Sequence, residues 1–338
     1  MTSIDNSELG QVRDSGRDWH LRTIGSLLVS LIAIGAVVWW ALRQKAPTFP
    51  SGLGPISLLV ASVGCYTVAT LLRGVRWHEV LRLAHVEHHP SDAIALIPVG
   101  YMGNTILPAR AGEILRVLLL KARSSASRRE ILGSIIAERG LDAAVIAAMF
   151  ATMTAIGIAN APTGKGAALI AVGVLVAGAL GVLLLLALRR RGRFERFAVI
   201  ARPFLIATKL LLCRRGALLA LMTAAIWLIE GFIYWLIAQS LDLPVSYLDG
   251  VYLVVLAGLA AIVPAGPGFI GTVDAAIIFG LAAIGIEGGQ ALSFAILVRF
   301  IIFVQITIVG LILMLVRYGG LGKLRMRTTS EVDEPVGE

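Results

Sequence analysis

Ionisable residues inside long apolar runs are where chemistry would sit in this chain. Arg110 follows Pro108 in the middle of an apolar stretch, with Glu113 and Arg116 after it at successive i+3 positions. Glu138, Arg139 and Asp142 lie inside another apolar run, and Glu138 and Asp142, four apart, share one helical face. Further along are Glu230, Asp274 and Arg299. A guanidinium at the centre of a bilayer costs about 3 kcal/mol on insertion scales, so each of these arginines needs a partner or a wet cavity. Two readings of Arg110 stand side by side. Its planar fork can hold a phosphate or carboxylate, or it can pair with Glu113 or Glu138 and hold the chain in place. Glu138, Arg139 and Asp142 can complete a charged cavity, take up a proton during a transport cycle, or snorkel to an interface. Arg299, deep in the last apolar run, has the strongest need of a buried partner.

The elements that must position these residues are membrane helices. Of 338 residues 57% are hydrophobic and 15% charged, with a mean hydropathy of +0.85. Soluble domains carry about 45–50% apolar and about 25% charged residues. About 20 apolar residues span a bilayer core, and full-length spans are expected at 22–42, 52–72, 131–159, 167–188, 216–240 and 290–316. The first run is too long for a signal-peptide core and lacks a small-x-small cleavage site, so it is read as a span. Two further stretches, 92–121 and 248–284, are interrupted by Pro and Gly. The breaks are centred on Pro108 and Gly112 in the first, and on Pro264, Gly266, Pro267, Gly268 and Gly271 in the second.

The net charge of +9 and a pI near 10.1 raise the question of nucleic acid. The bases concentrate, however, in short segments between apolar runs: Arg73, Arg76 and Arg82; Lys121 to Arg129; Arg189 to Arg215; and Arg317 to Arg327. That is a topology signal, and nucleic acid is not an expected partner. The remaining connectors are poorer in base, with Lys165 alone in one and none between Leu241 and Tyr247, so both termini are expected in the cytoplasm, with the chain multi-pass in the inner (plasma) membrane. Each broken stretch then returns to the side it left, as a re-entrant hairpin; a single kinked crossing would instead reverse the basic loops that follow. Ile106-Leu107-Pro108-Ala109 resembles Ile262-Val263-Pro264-Ala265, and each break precedes a span carrying an arginine, Arg139 or Arg299. Broken helices at corresponding places in two inverted halves point to a transporter's binding site. The expected fold is all-α: six full spans and two re-entrant hairpins. Residues 1–21 form a cytoplasmic segment and 22–320 the membrane domain, with halves at 52–159 and 216–316. Residues 321–338 form a polar, disordered tail.

Other features carry less. Cys65 and Cys213 belong to no CxxC pair. His78, His85, His88 and His89, with Glu79 and Glu87, show no metal-ligand spacing, so no metal is expected. The 189–215 connector mixes bases with Phe194, Phe197 and Phe204, as an interfacial helix or a topology anchor would. There is no Walker A, Rossmann, HExxH or GxSxG motif, and no cofactor is expected.

The segments Gly100 to Arg116, Glu138-Arg139-Gly140-Leu141-Asp142 and Pro264 to Gly271, together with Arg76-Trp77, resemble the flippase-like family that includes the transmembrane domain of lysylphosphatidylglycerol synthetases. The resemblance covers about 20–320. It implies roles in substrate handling for Asn104, Arg110, Glu113, Arg116, Glu138, Arg139, Asp142 and the Pro264–Gly271 segment. It also implies transfer of a lipid between leaflets, without fixing which lipid. Asp274 and Arg299 join the candidates on position alone. The expected activity is a lipid flippase or scramblase and not an enzyme, with membrane lipids as partners. A homo-oligomer and association with lipid- or glycan-synthesis enzymes fit the same reading. The rival readings are a secondary transporter of a small polar solute and a membrane-embedded lipid-modifying enzyme.

Overall fold

The computed structural model describes residues 49–107, 110–156, 214–262 and 267–319, with isolated positions before them. Outside the described residues lie the spans expected at 167–188 and, for the most part, 22–42. So do the 189–213 connector, both terminal segments, and the tip residues Pro108, Pro264 and Gly266. The described residues are helical and contain no strand.

The first helix, α1 (Leu53–Leu83), has 31 residues and runs about 46 Å at 1.5 Å per residue. Its buried face reads Tyr66, Thr70, Arg73, Arg76, Trp77, whereas Val60, Val68, Leu71 and Val75 point outward. Polar residues inside and aliphatic ones outside is the arrangement a lipid solvent selects. Helix α2 (Pro90–Ile106) starts with proline at its first turn and His89 accepting from the Ser91 amide. It ends where Leu107, which precedes Pro108, turns extended. Helix α3 (Ala111–Lys121) starts directly after Arg110, whose backbone is left-handed with φ 56°. The two arms are packed backbone to backbone: a Cβ added at Gly112 would lie 1.9 Å from the Gly100 carbonyl oxygen. Only glycine permits that approach. Since Gly103 also faces Gly112, and Gly100 faces Arg116, the arms run antiparallel and the chain folds back on itself.

Helix α4 (Arg128–Ala155) opens with a Ser127/Glu130 capping box. Helix α5 (Arg214–Ser240) packs on α1, and α6 (Tyr247–Ala260), capped by Ser246 and Asp249, packs on α5. A 3-10 turn at Pro267–Phe269, with Gly268 at φ 64°, leads into α7 (Thr272–Ala283), which lies against α6. Helices α8 (Gly288–Arg299) and α9 (Gln305–Tyr318) are joined through a π-helical stretch, Phe300–Val304, into one rod. The π-helical stretch begins directly after Arg299, and a π-bulge in a helix frequently marks a functional place.

Among the described residues, Leu53–Leu83, Arg215–Ser240 and Gly288–Tyr318 are long and apolar enough to cross a membrane. Helix α4 has 28 residues but falls short of the same apolar measure, and its Glu138 and Asp142 are buried against other helices. The first arm of each hairpin packs on a long helix from the other half of the chain: α2 on α9, and α6 on α4.

Candidate functional site

Four ion-pair groups tie the helices together around one cavity. The most buried centres on Glu138, which is 0% exposed. Its Oε1 accepts from Arg76 Nη2 at 3.0 Å and its Oε2 from Arg116 Nη2 at 2.8 Å. Arg76 also donates to Asp142 at 2.5 Å and to the Thr223 hydroxyl at 2.8 Å. Arg116 lies over the Trp77 ring, 3.9 Å from its centroid, and the Trp77 N–H donates to Ser134. This core joins α1, α3, α4 and α5.

The second group is at the hairpin tip. Asn104 uses its side-chain oxygen to accept from the Gly112 amide at 3.1 Å, closing the turn. Glu113 accepts from Arg139 Nε at 3.1 Å, and Arg139 reaches Asp142 at 3.5 Å. Arg110 is placed differently. One of its nitrogens donates to the Ala261 carbonyl at the end of α6, and the guanidinium stands 5.2 Å from the Phe269 ring. Among the described residues no carboxylate lies within ion-pair distance of it. Glu113 and Glu138, the partners its position suggests, are taken by Arg139, Arg76 and Arg116.

The third group belongs to the second hairpin. Asp274, in the first turn of α7, accepts from the Gly271 amide at 2.8 Å and receives both Arg299 Nε at 2.8 Å and Nη2 at 2.7 Å. Arg299 also donates to the Gly268 carbonyl and lies over Phe303. The fourth group pairs Arg73 of α1 with Glu230 of α5 at 2.6 Å, both buried.

Between these groups is a cavity of about 330 Å³. Arg110, Glu113, Arg139 and Asp142 line it from the first half, and Glu230, Trp227 and Phe269 from the second. Asn104 lines it as well; Arg116, Glu138, Asp274 and Arg299 do not, and act on the site through their partners. The described site holds six arginines, at 73, 76, 110, 116, 139 and 299, against five carboxylates, at 113, 138, 142, 230 and 274. The unmatched cation is Arg110. Several buried nitrogens, on Arg73, Arg76, Arg116 and Trp227, have no partner among the described residues. A buried donor left unsatisfied costs about 1–3 kcal/mol.

Arg73 was legible in sequence only as a topology signal, Arg76 as that and as part of the Arg76-Trp77 pair that carries the family resemblance, and Trp227 not at all. The available clue was the helical register, which carries on through Arg73, Arg76, Trp77, Val80 and Leu81 as one buried stripe past the expected end of the span at residue 72. Among the described residues no group of three or more His, Cys, Asp or Glu side chains is arranged to hold a metal. His78 and His88 bond to each other at 2.7 Å.

The model of one family, the lysylphosphatidylglycerol synthase TM region, matches residues 24–310. The chain belongs to that family. Its matched stretch contains the cavity and all four ion-pair groups, and with the long apolar helices it establishes a membrane protein. Glycosyltransferase AglD of Haloferax volcanii is 25% identical over 355 residues, an overlap of 92% of this chain and 56% of that protein. The chain therefore spans little more than half the length of that relative.

Proposed function

We propose that this member of the lysylphosphatidylglycerol synthase TM region family is a lipid flippase or scramblase. It moves a lipid with an anionic headgroup between the leaflets of the inner (plasma) membrane, without changing it chemically. The observation that carries this reading is Arg110, which has no carboxylate of its own at a cavity whose carboxylates are each engaged by another arginine. A phosphodiester brings one negative charge and acceptor oxygens suited to a guanidinium fork. The headgroup occupies the cavity and the acyl or isoprenoid chains stay in lipid.

The architecture behind it is an inverted repeat of six spans and two re-entrant hairpins, with both termini cytoplasmic. Its support is a set of matched positions. Arg73 and Glu230, which pair, are 157 residues apart. The same separation relates Gly74 to Gly231 and their contacts Ile94 and Val251, as well as the helix-capping residues His89 and Ser246. At the return arms, Glu113 and Asp274 both stand in the first helical turn, and both bind the arginine of the following span. Halves related in this way place a site at their interface, near the midplane.

The cavity carboxylates Glu113, Asp142 and Glu230 are each engaged by arginine, which supports transport over acid–base catalysis. The relation to a glycosyltransferase and to a lipid-synthase membrane region supports a setting in lipid or glycan metabolism. The test is leaflet exchange of a headgroup-labelled anionic lipid in proteoliposomes containing wild type, Arg110→Lys or Arg110→Ala. Arg110→Ala should lower exchange at least tenfold and Arg110→Lys less. Unchanged exchange in a folded Arg110→Ala protein would remove Arg110 from the mechanism.

A further inference from the structure

Arg110 accounts for the charge of a headgroup but not for the other polar groups of the cavity. A second constellation lies on the seam between α1 and α5. Arg73, 5% exposed, gives Nη2 to Glu230 Oε1 and has no partner for Nη1 among the described residues. The Trp227 indole N–H is also buried and without a partner among them. Both side chains line the cavity, as do the rings of Tyr66 and Tyr234. The six-membered ring of the indole abuts Gly258, where an added Cβ would lie 2.9 Å from Cη2 and 3.0 Å from Cζ3.

Arg73 and Glu230 neutralise each other, so this seam has no charge to offer a second anion or an ammonium group. An ammonium would face unpartnered N–H donors, and a second phosphate would face Glu230. What remains is two donors without acceptors, a carboxylate able to accept more, and aromatic faces. Hydroxyl groups both donate and accept, and the C–H faces of a polyol or sugar pack on aromatic rings.

We infer that the α1–α5 seam is a second subsite, formed by Arg73, Glu230 and Trp227, for the neutral, hydroxyl-bearing part of the headgroup whose phosphate Arg110 holds. This rests on the lipid reading above and narrows it: the substrate is a lipid phosphodiester of a polyol or sugar, and an amine-bearing headgroup is a poorer fit. The subsite discriminates between anionic lipids of equal charge.

The decisive comparison is phosphatidylglycerol against phosphatidylpropanol, which differ only in two hydroxyls. Phosphatidylinositol is added to separate a ring polyol from glycerol. Lipid occupancy is read by native mass spectrometry on the full chain, with monodispersity on gel filtration as the check on folding. Wild type should prefer phosphatidylglycerol, phosphatidylinositol or both over phosphatidylpropanol by roughly tenfold, the value of one to two well-made hydrogen bonds. Trp227→Phe and Glu230→Gln should each bring that ratio to within about twofold of unity, whereas Arg110→Ala should weaken all three lipids together. Equal binding of the three lipids by wild type, or an unchanged ratio in both seam variants, overturns the subsite and leaves the Arg110 reading standing. Binding unaffected by Arg110→Ala overturns the lipid-phosphate reading on which the subsite rests.

Discussion

Replacing Glu138 by glutamine keeps the side chain's shape and removes its charge from a place with no solvent. Glu138 Oε2 is the carboxylate that Arg116 meets at 2.8 Å, while Oε1 meets Arg76 at 3.0 Å. The two arginines are not equally exposed to the loss. Arg76 keeps Asp142 at 2.5 Å and Thr223. Arg116 retains only its stacking on Trp77, with two nitrogens already lacking partners among the described residues. Breaking a buried pair by removing one partner costs about 3–5 kcal/mol, because a charge is left uncompensated. Glu138→Gln should therefore destabilise by that amount, most of it traceable to Arg116. Adding Arg116→Met should recover at least about 2 kcal/mol, since neutral, similarly shaped replacements of both partners are often tolerated. Adding Arg76→Met should recover less, because Asp142 then loses its 2.5 Å partner and keeps only Arg139 at 3.5 Å. Equilibrium unfolding of the purified protein in detergent, run as two double-mutant cycles, measures both coupling terms. Simple additivity in the Glu138/Arg116 cycle would refute the assignment of Arg116 as the dependent charge.

Two further perturbations probe the scaffold. Gly112→Ala sets a methyl 1.9 Å from the Gly100 oxygen and 2.6 Å from the Asn104 nitrogen. Both neighbours are backbone and must separate, so a loss of about 3 kcal/mol, the upper end for overpacking, should appear as a lowered unfolding midpoint; a wild-type midpoint would show that the arms are not in contact. Gly74→Ala and Gly231→Ala meet the Cα of Ile94 at 2.7 Å and of Val251 at 2.8 Å. On the proposed repeat they should each lose about 1–3 kcal/mol, to a similar extent; a large loss from one and none from the other would count against the equivalence.

Local patterns carried much of the fold. The apolar runs that became α1, α5 and the α8–α9 rod are visible by composition, and Leu107-Pro108 marks the end of α2 because the residue before proline leaves the helical region. Glu138 and Asp142 could be put on one face of α4 from their spacing. The pairings could not be read the same way. Arg76 meets Glu138 across 62 residues and Arg73 meets Glu230 across 157, and no local pattern encodes which helices become neighbours. Charge bias also misleads at a helix end: Arg73 and Arg76 look like a cytoplasmic flank until α1 is seen to continue to Leu83 with both of them buried. Arg110 has an obvious candidate partner in Glu113, three residues on. Its left-handed backbone turns it toward Ala261 and Phe269 of the other half instead.

Lipid movement is tested most directly by leaflet exchange by the purified wild-type chain in liposomes. Fluorescent headgroup-labelled lipids of differing charge are monitored with an impermeant quencher added outside. Anionic phosphodiester lipids should pass from about half quenched to nearly fully quenched at rates that rise with protein per vesicle, faster than lipids with no net charge. Quenching that stops at half for every lipid, with the protein folded and inserted, would contradict lipid movement.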